Sequence, residues 1–413
     1  MSHVQSEDPI RNASKRWLNQ RAVDALRYPV PGSWLQPMGD TWINLASGYP
    51  FPNTVPGREF AAAMSHLVDI EGDRPFQYAG SPTSNDLTEW VADRMRKSRL
   101  MRQEDALLMT QGSIQGLDLL CRVTLDSESV VITQGPTYME ALEIFHNYTS
   151  HVVALPCDRP DRDFNEMLTT YLTSRTDTHP IKLLYLGSSF QNPTGLVMSW
   201  EMRQAMVTLA MQYNFLIVED GAYDALYFGT PIPPIKTLDT RGFVVYLGTL
   251  SKTIAPGLRV GWATGPSPLL DAMARWKKDL GNPVISGITR QYLHSINYDA
   301  RLDLLREQYR DRAHLAHEAL THFMPPDVLW DAPLGGFYIW LRYPDRIEST
   351  DLLDKARSLG VSYVPGQYFY PFAAAPHTPK LRICFSYETP PRMEEGIRRL
   401  ARAFEQTLGT PHL

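Results

Sequence analysis

The sequence predicts an α/β protein: a large unit built on a mostly parallel seven-stranded sheet, followed by a smaller α/β unit. Two observations carry this expectation. Seven short apolar runs lie between residues 106 and 264, and amphipathic helical patterns alternate with them. Unbroken apolar runs of this length suit strands covered on both faces, and alternation with helices argues for a layered α/β structure with a largely parallel sheet. The composition agrees. The chain has 413 residues, 43% hydrophobic and 21% charged, a globular balance. No apolar stretch approaches the roughly 20 residues of a membrane span, which excludes a multi-span membrane protein. Lys plus Arg number 40 against 45 Asp plus Glu, so no basic excess asks for a nucleic acid.

The strand candidates, in order, are 106–110 (ALLMT), 130–133 (VVIT), 151–155 (HVVAL), 182–186 (KLLYL), 215–219 (FLIVE), 243–248 (FVVYLG) and 259–264 (RVGWAT). Helical patterns cover 114–124, 138–147, 199–213 and 268–278. One long amphipathic helix is expected over 292–323, its charges forming a solvated face. After it come GGFYIWL, a helix in DLLDKARSLG, then VSYVPG, LRICFS and a final helix from Met393. These make the smaller unit, with the first forty-odd residues packed against it. The N-terminus lacks the charged-then-apolar order of a signal peptide, so a cytoplasmic location is expected. Cys121, Cys157 and Cys384 form no CxxC and no metal-spaced set. They read as reduced core residues, and no metal is expected.

Ligands of parallel sheets sit at the carboxyl ends of strands, and four segments there carry reactive residues. In YLGTLSKTIAPGLRVGW, Thr249, Ser251 and Arg259 surround Lys252. Two hydroxyls and an arginine suit an anion, and a desolvated lysine can act as a nucleophile. The Walker spacing is missing. In TQGSIQGLDLL, Ser113 and Ile114 open a helix directly after a strand, where free N–H groups can cradle phosphate. In FLIVEDGAYDALYF, Asp220 follows a very apolar strand and Tyr223 stands three residues on; a carboxylate there needs a cationic or hydrogen-bonding partner. In SSFQNPTGL, Asn192 sits in a Pro-Gly turn. Taken singly, each has an ordinary explanation: a surface lysine, a capped helix, a structural ion pair, turn chemistry.

Together the four segments resemble the fold type I pyridoxal-phosphate enzymes, specifically the class I/II aminotransferases. The nearest likeness is to the α-aminoadipate/kynurenine and multisubstrate branch. The resemblance runs from about Ile43 to Phe404. It implies pyridoxal 5'-phosphate as cofactor, covalently held by Lys252, with Asp220 facing its ring nitrogen. Thr249, Ser251, Arg259, Ser113 and the backbone of Ile114 would bind its phosphate. Tyr138 in GPTYMEAL would stack on the ring, and Asn192 and Tyr223 would meet its phenolic oxygen. Arg382 in LRICFS would clamp the substrate carboxylate beside Gly48 in LASGYPFP, with Asn192 close by. Tyr78 in FQYAG would reach the phosphate of a neighbouring subunit, which implies a homodimer with shared active sites. The large cofactor-binding domain would span 46–299, and 1–45 with 300–413 would form the small domain. Outside this context Tyr138, Tyr78, Arg382 and Gly48 are ordinary core, turn, strand-edge and backbone residues.

The implied activity is transfer of an amino group from an L-amino acid to a 2-oxo acid by a ping-pong cycle. A lyase, or an oxygen-using amino acid oxidase or hydroxylase on the same scaffold, is the alternative, since fold does not set reaction. A ligand-sensing regulator would carry an added helix-turn-helix domain, for which the residues before 43 leave no room. Three departures from the family pattern stand out. In EDGAY, which stands where the family has Glu-Asp-Asp-Pro-Tyr, Gly221 is expected to loosen the loop. AGSPTSNDLTEW replaces a Gly-rich run after Tyr78. The segment RAVDALRYPVPGSWLQPMGD matches poorly, leaving Arg21 and Arg27 as candidates for a distal substrate carboxylate or as plain surface charges. Trp34, Tyr49, Tyr78, Tyr138 and Phe385 could line an apolar substrate pocket or could equally be core.

Overall fold

The architecture comes from a computed structural model that describes residues 15–26, 41–78, 86–279, 281–371 and 378–408. Twelve strands are assigned among them: β1 (Ile43–Asn44), β2 (Asp105–Thr110), β3 (Val130–Gly135), β4 (Val152–Pro156), β5 (Ile181–Leu186), β6 (Leu216–Asp220), β7 (Val244–Thr249), β8 (Gly261–Pro266), β9 (Tyr338–Arg342), β10 (Val361–Ser362), β11 (Val364–Pro365) and β12 (Lys380–Cys384). Strands β2 to β8 form one seven-stranded sheet in the order β2-β8-β7-β6-β5-β3-β4. All its pairings are parallel except those made by β8, which runs antiparallel to both β2 and β7.

Period-two alternation builds the layers. Leu183, Tyr185, Val218 and Val245 pack on one face against Leu117 and Leu120 of the helix Gly112–Thr124 and Phe145 of Met139–His146. Leu184, Leu186, Ile217 and Val244 face the opposite way, against the helices Phe164–Ser174 and Trp200–Tyr213. The latter helix shows why its sequence folds locally. Ser199 accepts the Met202 N–H at 3.2 Å as its cap, and Asn214 takes a left-handed φ of 56° just past its end, where Asn is one of the few residues to settle.

The second assembly is the antiparallel sheet β11-β12-β9, with the helices Tyr298–Phe323 and Pro390–Leu408 supplying its core through Leu320, Leu400 and Phe404. Strand β1 pairs in parallel with β10, which ties the start of the aminotransferase-like pattern to this assembly. Arg21 lies exposed on the short helix Gln20–Ala25. Arg27 and Trp34 fall outside the described residues.

The helix expected over 292–323 is two helices, Pro283–Ser295 and Tyr298–Phe323. The break has a local cause. The Asn297 side chain accepts the N–H groups of Asp299 and Ala300 at 3.1 Å, a cap that starts a new helix and outweighs the continuing apolar period. Gly221 is the second correction. Its N–H donates to the Leu247 carbonyl at 2.9 Å, and a Cβ there would stand 2.1 Å from the Tyr246 hydroxyl oxygen. The glycine admits a packed tyrosine instead of loosening the loop. Among the described residues no helix is long and apolar enough to cross a membrane.

Candidate active site

A cavity of about 210 Å³ opens at the carboxyl edge of the seven-stranded sheet. Its wall is made by the residues just after β2, β3, β5, β6 and β7, as parallel-sheet geometry dictates. Ser113 and Ile114 line it at the start of the helix Gly112–Thr124. The N-cap residue Gln111 makes no side-chain cap; the Gln115 side chain accepts the Gln111 N–H and donates to Asp279, both at 2.8 Å. The first-turn N–H groups therefore face the cavity as an anion site. Thr249, Ser251 and Arg259 line the same end. The Thr249 and Ser251 hydroxyls lie 2.8 Å apart, and Thr249 donates to the Val260 carbonyl at 2.9 Å.

Two glycines let these loops touch. A Cβ on Gly261 would stand 2.5 Å from the Gly112 carbonyl carbon, and one on Gly112 would stand 2.7 Å from Arg259 Nη2. Arg259 itself takes a left-handed φ of 52°, which costs a residue bearing a Cβ about 1–2 kcal/mol. It donates from Nη2 to the Gln111 carbonyl at 3.1 Å. It has no ion-pair partner among the described residues.

Asp220 is the last residue of β6. Its Oδ2 accepts the Tyr185 hydroxyl at 2.6 Å and its Oδ1 the Ala222 N–H at 3.1 Å. Burial raises its pKa, and these two donors only partly offset that. No cation pairs with it among the described residues. Lys252 donates from Nζ to the Gly48 carbonyl at 2.9 Å. Burial pushes its ammonium down to about 8 from 10.5. Tyr138 lines the cavity and donates to Glu140 at 2.5 Å.

Arg382 marks the other end. It is 1% exposed, in the middle of β12. It donates to Asn192 Oδ1 at 2.7 Å and to the Ala46 carbonyl at 2.6 Å. Its Nε has no partner, and no carboxylate pairs with it among the described residues. The guanidinium lies 4.1 Å from the Tyr338 ring centroid, a cation–π arrangement. Tyr338 also meets Tyr223, hydroxyl to hydroxyl, at 2.7 Å. A Cβ on Gly48 would stand 1.9 Å from the Tyr338 hydroxyl oxygen, so only glycine fits there.

Ten of the sequence-selected residues thus line one cavity, and Gly48 and Arg382 adjoin it. Tyr78 does not. It is 99% exposed and away from the cavity, and the run 79–85 after it lies outside the described residues. Tyr49 lines the cavity, whereas Phe385 is core. Sequence reasoning missed Tyr338, Tyr185 and Glu140. Tyr338 and Tyr185 sit in strands read only as apolar, GGFYIWL and KLLYL. A tyrosine at the end of a buried strand was the available signal, at the carboxyl end of β5 for Tyr185 and the amino end of β9 for Tyr338, because its hydroxyl must find a partner.

Charge makes the identification. Among the described residues, Arg259 in the cavity wall and Arg382 beside it have no anionic partner, Asp220 has no cationic one, and the half-buried Lys252 shares the same wall. A phosphate, a carboxylate and a protonated ring nitrogen complete such a set, and the residues fit pyridoxal phosphate with a bound amino acid. An α/β enzyme dependent on pyridoxal phosphate is what this fold and site define. Comparison with known proteins agrees. The profile of aminotransferase class I and II matches residues 40–400. Aromatic-amino-acid aminotransferase 1 of Thermococcus litoralis is 31% identical over 374 residues, 89% of this chain and 88% of that protein. The crystal structure of the multiple substrate aminotransferase from Thermococcus profundus superposes with a TM-score of 0.86 at 29% identity, covering 96% of this chain and 99% of that one. LysN, the α-aminoadipate aminotransferase of Thermus thermophilus solved with N-(5'-phosphopyridoxyl)-L-leucine, gives a TM-score of 0.85 at 28% identity, over 96% and 99% of the two chains. The chain belongs to the class I and II aminotransferases. It is a pyridoxal-phosphate-dependent transaminase.

Proposed function

We propose that the protein moves an amino group from an L-amino acid to a 2-oxo acid in a ping-pong cycle, with Lys252, Asp220 and Tyr223 as catalytic residues. The unpaired charges of the cavity carry this reading. When bound, pyridoxal phosphate supplies an electron sink for the pair left by a broken Cα–H bond. Arg259, the Thr249 and Ser251 hydroxyls, and the Ser113 and Ile114 amides would hold its phosphate. Lys252 would hold it covalently, and Tyr138 would cover one face of its ring. Asp220 would keep a proton on the ring nitrogen by electrostatic attraction. Tyr223 and Asn192 would donate toward its phenolic oxygen. Arg382, beside Gly48 and Asn192, would bind the substrate α-carboxylate with two parallel hydrogen bonds. Lys252 Nζ, its basicity lowered by burial, would take the Cα proton and return it to the former aldehyde carbon of the cofactor.

The donor to test first is an L-amino acid with an apolar side chain. The Thermococcus litoralis relative is named for aromatic amino acids, and the Thermus thermophilus structure holds a leucine conjugate. Tyr49, Tyr138 and Tyr338 contribute aromatic rings to the cavity wall. We further propose a cytoplasmic homodimer whose large cofactor-binding domain spans 46–299, with 1–45 and 300–413 forming the small domain.

The test is single turnover. The cofactor-loaded protein is mixed with one amino acid at a time and no 2-oxo acid. Loss of the visible absorption with one equivalent of the matching 2-oxo acid, identified by mass spectrometry, supports the proposal. Ammonia release or oxygen uptake would instead establish the lyase or oxidase alternative. Lys252→Ala is expected to abolish both turnover and the lysine-linked absorption. A normal rate in that variant would remove Lys252 from its role.

A further inference from the structure

The seven-stranded sheet has an amino edge as well as a carboxyl edge. The cavity lies at the carboxyl edge. At the amino edge, the residues leading into three neighbouring parallel strands converge. His151 directly precedes β4, Glu128 stands two residues before β3, and His179 two residues before β5. These strands are adjacent in the order β5-β3-β4. One ligand-capable atom from each residue lies within 4.8 Å of those of the other two. His179 Nδ1 is 3.1 Å from Glu128 Oε2, and the two imidazoles stack with centroids 4.1 Å apart.

The backbone beneath them is held by the sheet. The Val131 N–H donates to the His151 carbonyl at 3.0 Å, and the Val130 N–H to the Pro180 carbonyl at 2.9 Å. The Thr149 hydroxyl donates to the Ser129 carbonyl at 2.7 Å and accepts the His151 N–H at 3.0 Å. His151 thus joins the ladder itself, while Glu128 and His179 each stand one residue before a laddered or sheet-bonded position, their N–H groups held by Asp126 and Asp177 at 3.0 and 3.2 Å. Their side chains are open to solvent, Glu128 at 65% and His179 at 34%, so an ion can enter without opening the fold.

We propose that Glu128, His151 and His179 bind one divalent transition-metal ion of the zinc or nickel class. Two imidazoles and one carboxylate suit borderline cations, whereas magnesium and calcium call for oxygen ligands. His179 Nδ1 and Glu128 Oε2 already stand at the separation of two ligands on one ion, and metal–nitrogen distances of about 2.0–2.1 Å ask His151 to join them within that range. The side chains can make that change by rotation while the backbone stays. Water completes the coordination. The strands are five or six residues long, so roughly 15–20 Å separates this edge from the cavity. The ion takes no part in amino transfer. It cross-links β4, β3 and β5 and stabilises the folded state by binding it selectively.

The cofactor-loaded protein is titrated with zinc chloride by calorimetry, beside the double variant His151→Asn/His179→Asn. Cobalt(II) is added separately, for its visible coordination bands. The wild type is expected to bind one equivalent more than the double variant, and zinc to raise its Tm but not that of the variant. Outer-sphere partners alone are worth about 10–100-fold in metal affinity, so loss of either imidazole should weaken binding by more than about tenfold. Glu128→Gln should weaken zinc without changing the zinc-free Tm, which keeps the test readable if a histidine substitution destabilises the fold. Transaminase activity should be unchanged throughout. Equal stoichiometry, affinity and zinc-induced Tm shift in wild type and double variant would overturn the proposal, leaving the cluster a stacked imidazole pair beside a carboxylate.

Discussion

At the scale of single residues, Lys252 shows how burial makes chemistry. Its neutral amine is the reactive form, and burial sets its pKa at about 8 instead of 10.5. Uptake of pyridoxal phosphate by the cofactor-free protein should therefore rise with pH and level off just above pH 8, when followed by stopped-flow absorbance. A rate still climbing towards pH 10.5 would show an ordinary, solvated lysine. The same shift has a sign for stability. Between about pH 8 and 10.5 the unfolded chain holds a proton that the folded chain has lost, so this group makes the cofactor-free fold more stable as pH rises through that window. Tyr338 is the residue whose role the sequence hid. Its hydroxyl bonds that of Tyr223 at 2.7 Å, and a net hydrogen bond is worth about 0.5–1.5 kcal/mol. Tyr338→Phe should lower kcat/KM about two- to tenfold with the cofactor retained. An unchanged kcat/KM would make that hydroxyl a packing group only.

At the scale of elements, local signals and tertiary contacts divided the outcome. Apolar runs such as KLLYL and FLIVE became β5 and β6, because a strand covered on both faces needs little beyond continuous hydrophobicity. Boundaries moved where a side chain intervened. Asn297 split the expected long helix by capping its second half. Gly221 looked like slack in the EDGAY loop because its reason, the Tyr246 ring pressed against it, lies 25 residues away in sequence. Gly221→Ala should cost about 1–3 kcal/mol as overpacking, read as a lowered urea midpoint. It should also reduce activity by moving Asp220, one residue upstream. A variant as stable as wild type would show that the Tyr246 ring can shift freely.

At the scale of the whole molecule, Tyr78 remains unexplained within one chain. It is 99% exposed, and Phe76 and Ile70 near it are 58% and 61% exposed. Exposed large apolar side chains close in sequence are in keeping with the proposed homodimer. Sedimentation should give twice the chain mass at micromolar concentration. Tyr78→Ala should leave that mass unchanged while weakening pyridoxal phosphate retention, measured by dialysis. A variant retaining cofactor as well as wild type would place Tyr78 outside the partner's site.

The sequence by itself determined the sheet, the family and most of the cavity wall. Strand periodicity is local, and Lys252, Asp220, Asn192 and Arg259 sit in contiguous motifs whose order survives as text. Only the tertiary structure decided which charges lack partners and which glycines are there for close approach. It also brought Tyr338 against both Tyr223 and Arg382, and Glu128, His151 and His179 to one edge. Those facts depend on residues far apart in sequence, joined by sheet pairing and packing, and no local pattern records which distant strands will be neighbours.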